Sequence, residues 1–145
     1  GWGTLTSRAN GYRLQYPRGL FRLVAGDRGG RRFVSDTGNA ELQVGAQVNA
    51  LDQTLAEAVR SDTLAVPALD RQTYRSETAA GVVVSGLAGG RIVYFKARAT
   101  CDNATFAWFR LVYDDSARAT FDPIVARMAR SFDATAMPDG SPLCP

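Results

Sequence analysis

The chain has 145 residues, 46% of them hydrophobic and 21% charged, with a formal net charge of +3. That length and balance suit one globular domain with its own core and exclude a disordered chain. The absence of histidine removes Ser-His-Asp and Cys-His catalysis, and any histidine-ligated metal site, from within the chain.

The start, Gly1-Trp2-Gly3, reads as a mature terminus from which a leader has been removed. No apolar run approaches the roughly 18 residues that a membrane-spanning helix needs. Tyr12, Leu14 and Tyr16 alternate with Arg13 and Gln15 and stop at Pro17, which predicts a first strand over 12–16. Residues 17–30 read as a long irregular stretch from which Leu20 and Phe21 return to the core. A short strand over 32–35 and a longer one over 41–49 flank the turn Asp36-Thr37-Gly38-Asn39 and predict a hairpin. In the longer strand Leu42, Val44, Ala46 and Val48 point one way, while Glu41, Gln43, Gly45, Gln47 and Asn49 face water.

Thr54 and Glu57 have the spacing of a capping box, so a short helix is expected over 54–62 with Leu55, Ala58 and Val59 as its apolar stripe. A proline-containing loop fills 63–70. Strands over 72–78, 81–86, 90–100 and 104–113 then follow in an antiparallel meander, with turns at Ala79-Ala80-Gly81, Ala88-Gly89-Gly90 and Asp102-Asn103. The strands 90–100 and 104–113 carry apolar groups on both faces, which predicts that they are adjacent, central and covered on both sides. Asp114-Asp115-Ser116 leaves the sheet and starts a helical turn. Asp122 reads as an N-cap, Pro123 as a first helical residue, and Ile124, Val125, Met128 and Phe132 as the buried stripe of a helix over 123–132. The expectation is one domain over 1–145, with its core in 10–132 and a tail over 133–145 running extended on the surface.

All of the 17 basic residues except Lys96 are arginine. Arginine grips phosphates and carboxylates bidentately, but a GC-rich genome also favours its codons. These arginines are scattered, whereas a nucleic-acid protein clusters them, so nucleic acid is not an expected partner. Cys101 and Cys144 match no zinc or redox spacing. Two buried free thiols would suit a cytosolic chain. A disulfide would instead explain an ordered tail, stabilise by about 4 kcal/mol through loop closure, and place the protein in an oxidising compartment. The disulfide is the reading adopted.

Candidate surface residues fall in two groups. Arg28, Arg31 and Arg32 flank glycines in the 26–32 loop, which could cradle an anion or simply be solvated. Lys96, Arg98 and Arg110 are expected to share a face with Tyr94 and Trp108, as a ligand or partner surface or as ordinary cross-strand pairs. Asp114, Asp115, Asp102 and Asn103 lack calcium-loop spacing and read as caps and turns. No catalytic or metal-binding residue is assigned, and no cofactor is expected.

The opening Asn10-Gly11-Tyr12-Arg13-Leu14-Gln15-Tyr16-Pro17, the meander after it, and a closing amphipathic helix ending Ser131-Phe132 resemble the PsbP-like superfamily of α/β/α sandwiches, which includes DcrB-like lipoproteins. They also resemble a group of small exported proteobacterial proteins. The resemblance covers most of residues 10–132 and implies an α+β fold with a central antiparallel sheet of six or seven strands and helices packed on it. It implies a binding or assembly role and transfers no functional residue. The expectation is therefore an exported, periplasmic or secreted, non-enzymatic module that acts through its surface on another protein or an envelope component. The alternatives are an immunity-type inhibitor of a secreted toxin and, behind it, a small hydrolase or isomerase using Asp114 and Asp115 in a deep pocket.

Overall fold

A computed structural model describes residues 1–26 and 30–145. Its strands are β1 (Gly3–Ser7), β2 (Tyr12–Tyr16), β3 (Phe21–Gly26), β4 (Gly30–Ser35), β5 (Ala40–Val48), β6 (Arg71–Glu77), β7 (Val82–Ala88), β8 (Arg91–Thr100) and β9 (Thr105–Asp114), and its α-helices are α1 (Leu55–Arg60) and α2 (Arg118–Phe132). Seven strands form one antiparallel sheet in the order β3-β4-β5-β9-β8-β7-β6, and β1 and β2 form a separate two-stranded ribbon. The long strands β8 and β9 are adjacent and central, as their two apolar faces require. The chain thus has the expected α+β fold, a central antiparallel sheet with helices packed on it.

The two faces are covered by different elements. On one, α2 and the β1–β2 ribbon lie over Leu42, Val44, Phe109 and Leu111, all buried with Phe121, Met128 and Phe132 of the helix. On the other, α1 and the 63–70 segment lie over Val82, Val84, Phe95, Ala97 and Phe106. The capping box of α1 is formed: Glu57 N–H donates to Thr54 Oγ1 at 3.1 Å, and Thr54 N–H to Glu57 Oε1 at 3.0 Å. In this six-residue helix the box supplies backbone partners that its length alone does not.

Several expectations are corrected. The stretch 17–30 holds a 3₁₀ turn, Arg18–Leu20, and the edge strand β3. Only Phe21 of that strand is buried, so it has no alternation to read, and Leu20 stays exposed at 40%. The strand 12–16 pairs with β1 rather than joining the main sheet, and Leu5 of β1 brings the core closer to the N-terminus than residue 10. Helix α2 begins at Arg118, five residues before Pro123, and Asp122 does not cap it. Its first turns are held by Phe121, packed on Phe21 and Tyr113, and Asp122 accepts a 2.6 Å hydrogen bond from the Tyr113 hydroxyl. That packing offsets the hydrogen bond lost at Pro123.

The tail is not simply extended. It reverses through Met137–Gly140, with Met137 N–H donating to Ser141 O at 2.9 Å and a bridge between Ala136 and Pro142. The Asp139 carboxylate fixes this turn by accepting from the N–H and hydroxyl of Ser141. Leu143 is then buried, and Cys144 is joined to Cys101 by the expected disulfide, with Cα atoms 5.4 Å apart.

Candidate functional site

The helices leave part of the sheet bare. Over β3, β4 and β5 the α1 face carries no helix: Arg22, Ala25 and Arg32 are exposed, and Val34, Glu41 and Gln43 are half-buried. Alternation and register fix what meets there. Gly30 pairs with Gly45, and Gly45 with Trp108; in the next row Arg32 pairs with Gln43, and Gln43 with Arg110. A shallow trough of 440 Å³ lies above the first row, walled by Trp108, Arg32 and Gln43. Its floor has no side chains because both residues of the strand pair are glycine. A Cβ on Gly30 would lie 2.5 Å from the Val44 carbonyl oxygen, so the close approach of β4 to β5 requires glycine there.

Guanidinium groups surround one carboxylate beside the trough. Arg32 holds Glu41 in a two-pronged pair, Nε to Oε1 at 2.7 Å and Nη2 to Oε2 at 3.3 Å. This hydrogen bonding keeps the Glu41 carboxyl below the usual carboxylate range; partial burial opposes it, and the charges of Arg32, Arg110 and Arg91 reinforce it. Arg110 donates through Nη2 to Gln43 Oε1, and its buried Nε has no acceptor among the described residues. Arg91 pairs with Asp114 at 3.0 Å, and Asp115 with Arg118 at 2.6 Å, so each acid of that pair has its own arginine. Trp108 is half-buried and stacks on Phe95 with ring centroids 6.2 Å apart, which fixes the indole at the trough wall.

The structure therefore brings together Arg32, Trp108 and Arg110 of the candidate residues; Arg31 pairs with Val44 on the α2 face, where its charge acts on Tyr12, and so is separated from Arg32 by strand alternation. Arg28 lies outside the described residues. Tyr94, Lys96 and Arg98 are on the opposite face, which corrects the shared face expected for them. Thr100 pairs with Thr105, so each even-numbered residue of β8 stands opposite an odd-numbered one of β9: Lys96 faces Phe109, while Arg110 faces Phe95. Lys96 and Arg98 are only 9% and 8% exposed and are engaged internally. Lys96 Nζ donates to the Ala129 carbonyl at 2.9 Å and pairs with Asp133, and Arg98 Nη2 donates to the carbonyls of Gly11 and Ala134 at 3.1 and 2.8 Å. Glu41, Gln43 and Arg91 were not singled out from sequence. The wet-face alternation of 41–49 marked Glu41 and Gln43 as exposed, but nothing local shows that this strand lies beside β9.

No protein-family model matches the chain, and no curated protein matches it in sequence. Among solved structures, the solution structure of the cyanobacterial PsbP protein CyanoP from Synechocystis is similar, with a TM-score of 0.61 and 14% identity over 90% of this chain and 91% of that one. The Saccharomyces cerevisiae Ran-binding protein Mog1p is similar as well, with a TM-score of 0.59 and 8% identity over 91% of this chain and 94% of that one. At these identities the likeness is one of fold, and the fold is PsbP-like.

Proposed function

We propose that the protein is a non-enzymatic binding module, exported to an oxidising compartment, and that it holds a protein partner on the uncovered α1-side face of β3, β4 and β5. One observation carries this reading: a sheet otherwise covered by α1 and α2 leaves bare a region where Arg32, Arg91 and Arg110 gather around Glu41, with Trp108 two residues from Arg110 on the same strand face. Aromatic and arginine side chains are the residues that most often anchor protein interfaces. The similarly folded Mog1p is a Ran-binding protein, so this architecture is used elsewhere to bind a protein. The Cys101–Cys144 disulfide supports an oxidising compartment, and the lack of histidine in the sequence supports a role without catalysis.

The test is affinity capture from the protein's own cell envelope with three forms of the tagged chain: wild type, Trp108→Ala combined with Arg110→Gln, and Tyr74→Ala as an exposed control on the opposite face. The expected result is a partner held by the wild type and the control and lost by the double variant. Equal capture by all three would move the interface elsewhere on the molecule.

A further inference from the structure

The character of this surface narrows what it binds. Among the described residues it presents four guanidiniums, Arg22, Arg32, Arg91 and Arg110, against two carboxylates, Glu41 and Asp114. Each carboxylate already has an arginine of its own, Arg32 for Glu41 and Arg91 for Asp114, so the surplus among the described residues is two positive charges, Arg22 and Arg110. Arg110 uses Nη2 on Gln43 and keeps further donors in its fork. Beside these charges lies the trough, with side-chain-free glycines below and an indole at its wall, which suits an apolar side chain.

We propose that this surface binds an acidic, extended segment of a protein partner, with carboxylates on Arg32 and Arg110 and one large apolar side chain in the trough against Trp108. The proposal rests on the binding reading above and names the chemistry of the partner. Charge complementarity supports it. The placement of Glu41 favours a peptide over a polyphosphate or an anionic bilayer. Glu41 sits among the arginines, so a continuous array of phosphates would set one of its charges against a carboxylate. A peptide can place its side chains around that point. Trp108 is set into the trough wall between the sheet and α1's cluster, whereas an indole that anchors in a membrane stands proud of the surface.

The test uses Trp2→Phe protein, in which Trp108 is the sole indole and the ring beneath Arg127 is kept. The probe is the capped peptide Asp-Glu-Leu-Phe-Asp-Glu, and the readout is Trp108 fluorescence. The expected result is a saturable emission change that weakens with added salt and an affinity about tenfold lower for Arg110→Gln. Arg22→Gln, an exposed change that leaves the packing intact, should weaken binding less. Replacing Leu-Phe by Ser-Ser should abolish the emission change, and replacing the acids by lysine should abolish binding.

No response to the acidic peptide, or an equal response to its lysine counterpart, would overturn the proposal. So would a response only to a DNA oligonucleotide or to phosphatidylglycerol vesicles. If the double variant loses its partner in the capture experiment while this peptide fails, the binding reading stands and the acidic-segment assignment falls. If capture is unaffected by the double variant, the interface lies elsewhere on the molecule, and the placing of the binding surface here falls together with the acidic-segment assignment.

Discussion

Lys96 reaches from the middle of the sheet to the end of α2, where its Nζ lies 2.6 Å from Asp133 Oδ1 and 2.9 Å from the Ala129 carbonyl oxygen. The last turn of a helix has carbonyls without intrahelical partners and the negative end of the helix dipole, so a cation is favoured there. The only lysine of the chain is thus a tether for the helix terminus. Lys96→Met should cost about 1.5–3 kcal/mol, the range for hydrogen bonds to charged groups, read from urea unfolding. A loss below about 0.5 kcal/mol would mean that the pair behaves like an exposed one, since Asp133 is itself 62% exposed on its side chain.

Gly11 is built into the disulfide. Its φ is +70°, and a Cβ there would lie 2.6 Å from the sulfur of Cys101 and equally close to that of Cys144. Three distant segments meet at this point: the turn before β2, the β8–β9 turn and the tail. Gly11→Ala should destabilise by about 1–3 kcal/mol from backbone strain, with the clash against sulfur added. In a Cys101→Ser, Cys144→Ser background the alanine should cost less, and the difference measures the coupling. Thiol titration of the unfolded, unreduced protein should find no free cysteine. Reduction should lower the melting temperature and free residues 133–145 while the sheet persists, because the bond lies outside both apolar clusters.

The sequence made some of this legible and hid the rest for physical reasons. The meander from β6 to β9 was readable because its turn residues, Ala79-Ala80-Gly81, Ala88-Gly89-Gly90 and Asp102-Asn103, and the apolar runs between them are local signals. β1 and β3 were not, because each buries one residue, Leu5 and Phe21, and so has no pattern. The pairing of β5 with β9 joins distant parts of the chain, and it is this pairing that brings Gln43 to Arg110. Trp108 and Arg110 were placed together correctly, since they are two apart on one strand. Tyr94, Lys96 and Arg98 were misplaced by the parity of a turn: a single residue of register moves a whole strand to the other face.

Phe132 should be the most sensitive single position in α2. It is fully buried, meets Phe109 edge-on at 5.2 Å between ring centroids, lies 6.1 Å from the Tyr12 ring, and has the Arg98 guanidinium 5.7 Å from its centroid. Truncation removes contacts to sheet, ribbon and cation together. Phe132→Ala should cost about 3–5 kcal/mol, measured by denaturant unfolding; a loss under about 1 kcal/mol would mean that the helix end repacks without it.

Tyr94 predicts how the fold responds to alkali. Burial first, then the charge of Asp133 and the neighbouring Tyr74, push its pKa from 10.0 up to about 12. Tyr12 is also raised, by burial, and Tyr113 by burial and its hydrogen bond to Asp122. In each case the folded state favours the neutral phenol. Below pH 10 these phenols are neutral in both states, and their contribution to stability is fully present. Between pH 10 and about 12 the unfolded chain ionises Tyr94 first, so stability falls as pH rises through that window. Urea midpoints measured across it should decline. Tyr94→Phe should flatten part of the decline, while Tyr12 and Tyr113 keep the remainder. An absorbance titration of the folded wild type should show a late phenolate step that is missing from Tyr94→Phe. If that step appears at the ordinary tyrosine pKa, Tyr94 is open to water, and the contact between β8 and the Asp133 end of α2 is looser than described.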